Sequence, residues 1–171
     1  MKKFELTAEF VTNVFGKKLF RIKALVAFGN VEKGELGGFI EKEDNLSHHG
    51  NAWVSGDAQV YGNAWVYGNA QVSGDARVSG NAQVSGDADY AVVKWFGRYF
   101  RVTTFFRCRD DILRVQCGCF YGNLTQFREI VKKTHGGGKR AKEYLAIADL
   151  MELHFSCLLY TSPSPRDGAT S

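Results

Sequence analysis

Residues 50–90 read GNAWVS-GDAQVY-GNAWVY-GNAQVS-GDARVS-GNAQVS-GDADY, a six-residue unit repeated without a slip. Gly stands at 50, 56, 62, 68, 74, 80 and 86, Ala two residues after each, and Val at 54, 60, 66, 72, 78 and 84. An α-helix cannot use this pattern, because six residues advance the chain about 600° and leave successive valines about 120° out of phase. Each interior Gly would also cost a helix roughly 1 kcal/mol relative to Ala. Short strands with a corner every six residues do fit. Ala and Val, two apart, point to one face of an extended segment. Gly followed by Asn or Asp supplies the residues that enter left-handed backbone geometry most readily.

Three such edges close an eighteen-residue triangular coil, and stacked coils hydrogen-bond as parallel strands. With an aliphatic and a small residue inward, the repeat resembles the left-handed parallel β-helix of hexapeptide-repeat, trimeric LpxA-like proteins. Ile40 and Leu46 extend the register backward, with a two-residue bulge at Ser47-His48-His49 before Val54. Ile40, Leu46, the six valines and Tyr90 then make nine inward positions, or three coils. The lead-in Leu19-Phe20-Arg21-Ile22-Lys23-Ala24-Leu25, Gly34-Glu35-Leu36-Gly37-Gly38-Phe39-Ile40-Glu41 and Asn45-Leu46-Ser47-His48 resembles the YdcK-like hexapeptide-repeat proteins of bacteria and phages. Segments Cys119–Gly122, Lys132–His135 and Lys142–Tyr144 resemble a C-terminal module of the same group. Relatives are called transferases or polymer-forming cytoskeletal proteins from the repeat alone, so the resemblance implies a fold and no catalytic residues.

Open coil ends expose unpaired strand edges, so the flanks are expected to cap them. Residues 1–37 read as a hairpin cap turning at Gly16, residues 38–90 as the β-helix, and residues 91–156 as a basic ββαα module. In that module, strands over Tyr99–Cys108 and Ile112–Tyr121 turn at Arg109-Asp110-Asp111. A helix capped by Thr125 runs from Gln126 to Thr134, and a second runs from Lys139 to Phe155 after a triple-glycine break. Cys157 to Asp167 resembles the translation of a transposase-end sequencing adapter, and residues 157–171 are expected to be an artefactual disordered tail. The fold expected is mainly β: a short left-handed parallel β-helix of about three coils, a hairpin cap and a C-terminal α+β module.

Ordinary apolar and aromatic content, 44% and 13%, excludes bulk disorder. No uncharged apolar run approaches the roughly 18 residues of a membrane span, and acids at Glu5 and Glu9 break any leader, so the cytoplasm is expected. Cys108, Cys117 and Cys119 are an odd set outside the adapter-like tail and read as thiols, with Cys117 and Cys119 on one core-facing strand face. No cofactor is called for.

Candidate functional residues fall into four groups. His48 and His49, in the bulge, are the only histidines near the coils and are the candidates for the general base that an acyltransferase with an acyl-CoA donor requires. Asp57 and Asp75, eighteen apart, stack in one column about 4.8 Å apart and are weak candidates for holding a cation. Trp53, Tyr61, Trp65 and Tyr67 flank inward valines, point outward and are the first choice for contact with a protein partner or a second subunit, a trimer included. Net charge divides unevenly: residues 91–156 carry twelve basic and six acidic side chains, against one and four in residues 50–90. Arg98, Arg101, Arg107, Lys132, Lys133, Lys139 and Arg140 form a candidate anion site, with Tyr99, Phe105 and Phe106 for stacking on nucleic acid. The leading expectation is a non-enzymatic structural or binding scaffold. An acyltransferase-like protein is the alternative, and nucleic-acid binding through the basic module is the third reading.

Overall fold

The computed structural model describes residues 1–156, and the adapter-like segment lies outside the described residues. An antiparallel hairpin, β1 (Phe4–Thr12) and β2 (Lys18–Ala24), leads into β3 (Leu36–Ile40). One two-residue strand per hexad follows: β4 (Trp53–Val54), β5 (Gln59–Val60), β6 (Trp65–Val66), β7 (Gln71–Val72), β8 (Arg77–Val78) and β9 (Gln83–Val84). Parallel ladders β3-β5-β8, β4-β7 and β6-β9 make the three sides of a β-helix.

Partners within the regular repeat are eighteen residues apart, as in Val54↔Val72, Val60↔Val78 and Val66↔Val84. Ile40↔Val60 and Leu46↔Val66 are twenty apart, the offset that the bulge before Val54 requires. All six valines and the alanines from Ala52 to Ala82 are buried in one core. The corner glycines from Gly50 to Gly80 have φ between +63° and +71°. At Gly50 an added Cβ would also lie 2.5 Å from the Gly68 carbonyl oxygen of the next coil, so both geometry and space demand Gly.

The coil ends are closed by side chains. In a parallel ladder the backbone groups of alternate residues face opposite edges. On the first coil the edge-facing carbonyls of Gly50 and Ala52 accept from Lys3 Nζ at 3.3 and 2.6 Å. Those of Gly62 and Ala64 accept from Asn45 Nδ2 at 3.2 and 2.9 Å. The third side is covered by β3 itself, whose Phe39 amide donates to the Ala58 carbonyl. Phe4 and Phe28 fill the opening beneath, with the Lys3 ammonium 4.6 Å from the Phe28 ring centre.

At the far edge the exposed amides find acceptors: Gln71 from Asp87 Oδ1, Arg77 from Thr104 Oγ1 and Ser85 from Asp89 Oδ2. The Gln71 carbonyl accepts from the Tyr90 hydroxyl and that of Asn81 from the Arg109 amide. No free edge of the kind that templates another chain is left at these positions.

The C-terminal module is a four-stranded antiparallel sheet, β10 (Tyr90–Phe96), β11 (Arg101–Arg107), β12 (Leu113–Cys117) and β13 (Phe120–Asn123), followed by α1 (Leu124–His135) and α2 (Lys139–His154). Strands β10 and β13 extend the pair read from the sequence to both sides. β11 lies across the last coil and serves two cores through its alternation. Phe106 and, just beyond the strand, Cys108 join the coil core, whereas Phe105 packs against α1 and α2. Helix α1 is capped by Asn123 in a capping box with Gln126, two residues before the Thr125 expected from sequence. Cys119 lies exposed in the β12–β13 turn, not on the core face with Cys117.

Candidate functional site

His48 is committed to structure. His48 stacks on Phe4 with ring centres 4.2 Å apart. Its Nδ1 accepts from the Lys3 backbone amide at 3.0 Å, and its Nε2 pairs with Glu43 Oε1 at 2.7 Å. Both ring nitrogens are occupied, so no lone pair remains for an acceptor hydroxyl. The hydrogen bond from His48, helped by Lys2, holds the Glu43 carboxyl below its usual range. His49 is exposed and lines neither hollow described below.

The aspartate column is filled by basic side chains. Asp75 is ion-paired with Lys94, and that hydrogen bond lowers its pKa. The Arg77 guanidinium donates to the Asp75 carbonyl at 2.7 Å and reaches that of Asp57 at 3.4 Å. Among the described residues no three His, Cys, Asp or Glu side chains gather as a metal site. A hollow of about 460 Å³ is lined in part by Asp75 and Asp87, and of these Asp75 is paired with Lys94.

The four outward aromatics do not form one surface. Trp53 is buried edge-on against Phe28, and Tyr61 is buried against Leu19 and Phe39, so the N-terminal flank is their partner. Alternation places them outward from the coil correctly, and the hairpin then folds over them. Trp65 and Tyr67 stack 3.9 Å apart, with Trp65 39% exposed. Tyr67 Oη also accepts from Arg107, which bridges to Asp89 and Asp111. That ties Arg107 to the joint between coils and module, away from any anion site.

A cavity of about 1090 Å³ lies in the C-terminal module between the β10–β11 tip, the β12–β13 turn, the end of α1 and the start of α2. Arg98, Arg101, Lys139 and Arg140 line it; Lys132 and Lys133 are exposed on α1 and do not. Tyr99 belongs to it, but Phe105 and Phe106 are fully buried. Trp95 and Phe100, which sequence reading missed, supply the other exposed rings. The three are 69, 67 and 60% exposed for Trp95, Tyr99 and Phe100. The signal was present as Trp95-Phe96-Gly97-Arg98-Tyr99-Phe100, aromatic residues on both sides of a glycine turn.

Backbone geometry fixes this tip. Trp95 and Phe100 have φ of +83° and +53°, a costly region for bulky residues. A register shift between Val93 and Phe96 accompanies it. The Tyr144 hydroxyl of α2 donates to the Phe96 carbonyl at 3.1 Å and anchors the tip to the helices. Burial pushes that phenol up to about 12, so it stays protonated and able to donate. Helix α2 begins at Lys139, after Gly138 at the N-cap, with no side-chain cap and no acid in its first turn, leaving its positive end towards the cavity.

Coils, closed ends and appended module define a capped β-solenoid protein. Residues 58–73 and 70–86 match the family model described as YdcK beta solenoid repeat. A search of the curated proteins found no match. No helix of the described residues is long and apolar enough to cross a membrane.

Proposed function

We propose that this chain is a non-enzymatic binding scaffold in which the solenoid is a stiff stem and the C-terminal module is the binding head. The observation that carries the reading is the contrast between the two parts. In the stem His48 has both ring nitrogens occupied, Asp75 is paired with Lys94 and the coil ends are closed. The head holds the ligand-sized groove, with exposed rings and basic side chains around it. Pockets of this size are the usual setting for ligand recognition.

The competing reading is acyl transfer with His48 or His49 as base. Calorimetric titration with acetyl-CoA, with a thiol-release assay alongside, separates the two. The scaffold reading predicts no thiol release above background for the wild-type protein and for a His49→Ala variant alike. Turnover that disappears on replacing either histidine would contradict it.

A further inference from the structure

We infer that the groove of the C-terminal module binds single-stranded nucleic acid, an inference that rests on the binding-head reading above. Its first support is where the charges remain unpaired. Four of the six acids in residues 91–156 are engaged by arginines outside the groove: Asp110 by Arg114, Asp111 by Arg107, and Asp149 and Glu152 by Arg128. Among the described residues Arg98, Arg101, Lys139 and Arg140 form no ion pair, and they converge on one cavity, where Glu143 is the one acid among the described lining residues. The surface thus has an unneutralised cationic track with the start of α2 at one end.

The second support is the form of the apolar surface. Trp95, Tyr99 and Phe100 stand out as separate rings interleaved with Arg98 and Arg101, and the Arg101 guanidinium lies 5.2 Å from the Tyr99 ring centre. Above Gly118 the Arg101 side chain passes so close that a Cβ there would meet its Nη1 at 2.0 Å. Alternating cations and exposed rings match a strand whose phosphates and base faces are both accessible. A duplex hides its base faces in the stack and cannot use the rings. Phosphates lie against the four basic groups and bases stack on the rings. Glu143 repels phosphate and accepts from a base N–H, which in thymine is the N3–H.

The test is fluorescence anisotropy of the full chain with a fluorescein-labelled oligothymidylate of about twelve nucleotides, within the site sizes such grooves cover. Four phosphate contacts predict a slope near −3 in log K against log salt, or about a 50-fold loss of affinity between about 50 and 200 mM. Trp95→Ala and Tyr99→Ala should each weaken binding about 5- to 150-fold. Arg98→Ala should flatten the slope by about 0.7. Lys132→Ala/Lys133→Ala, off the groove, should leave the ring dependence intact, and the duplex should bind more weakly and ignore Trp95→Ala.

Binding indifferent to both ring substitutions overturns the inference. Heparin, a polyanion without bases, and phosphatidylserine vesicles are titrated in parallel. If either binds through Arg98 and Trp95 while the oligonucleotide does not, the nucleic-acid inference falls and the binding head stands. If none of the three binds at about 50 mM salt, both fall.

Discussion

Replacing Asn45 by Ala should open one side of the first coil. The side chain is fully buried and makes three hydrogen bonds: Nδ2 donates to the carbonyls of Gly62 and Ala64, and Oδ1 accepts from the Lys42 amide at 2.9 Å. A buried group left without its partner costs about 1–3 kcal/mol, and a more exposed bond about 0.5–1.5 kcal/mol. The Ala64 carbonyl belongs to the first class and the other two groups to the second. The expected loss is about 2–6 kcal/mol, a large fraction of the roughly 5–15 kcal/mol that holds a domain together.

Urea unfolding followed by circular dichroism reads this loss as a lower midpoint at unchanged slope. Asn45→Asp sharpens the test. Its carboxylate keeps an acceptor for Lys42 but faces two carbonyls, so its pKa in the folded state lies above the unfolded value. Stability of that variant is therefore present at low pH and lost as pH rises through the raised pKa, above the ordinary value of about 4. A loss under about 0.5 kcal/mol in Asn45→Ala, with no pH dependence in Asn45→Asp, would show that water serves these carbonyls and that side-chain closure is not what stabilises the end.

Three further outcomes follow from the same geometry. Among the corners crowded by backbone, Gly50→Ala should be the costliest substitution; Gly74→Ala, with positive φ but open space, should be intermediate, and Gly86→Ala, with neither constraint, neutral within about 0.5 kcal/mol by thermal unfolding. Burial lowers the Lys3 amine to about 8, so the unfolded chain holds more protons between about pH 8 and 10.5, and stability should rise with pH across that window. Lys3→Met should lose this rise in a pH series of urea midpoints. Burial alone would raise Asp89, but hydrogen bonds from the Ser85 amide and hydroxyl and from Arg107 bring it below its usual range. Its stabilisation is present above about pH 4 and disappears as pH falls through the lowered value, and Arg107→Ala should flatten that acid limb.

The repeat was legible because its period leaves one workable conformation, and the inward valines follow from alternation alone. The closures were not. Lys3 reaches carbonyls 47 and 49 residues away, and nothing in Lys2-Lys3-Phe4 distinguishes it from an ordinary basic start. Trp53 and Tyr61 show the same limit: the local pattern turns them out from the coil, and only the fold of residues 1–40 decides that they are covered.

His48 offered two readings, and its partners, the Lys3 amide and Glu43, come from different parts of the chain. In the head, seven basic residues look equivalent by composition. Ion pairing removes Arg107, and helix geometry turns Lys132 and Lys133 away. Trp95 and Phe100 gained their place from a strained hairpin tip, a feature that appears only once β10 and β11 are paired.

Light scattering of the full chain over a concentration series tests most directly whether this is a stem with closed ends. The account predicts the single-chain mass of 19.1 kDa at every concentration. Mass that grows with concentration would show that the coil ends still template one another. A constant threefold mass would supply the grooves between subunits that the scaffold reading does without, and either result would contradict it.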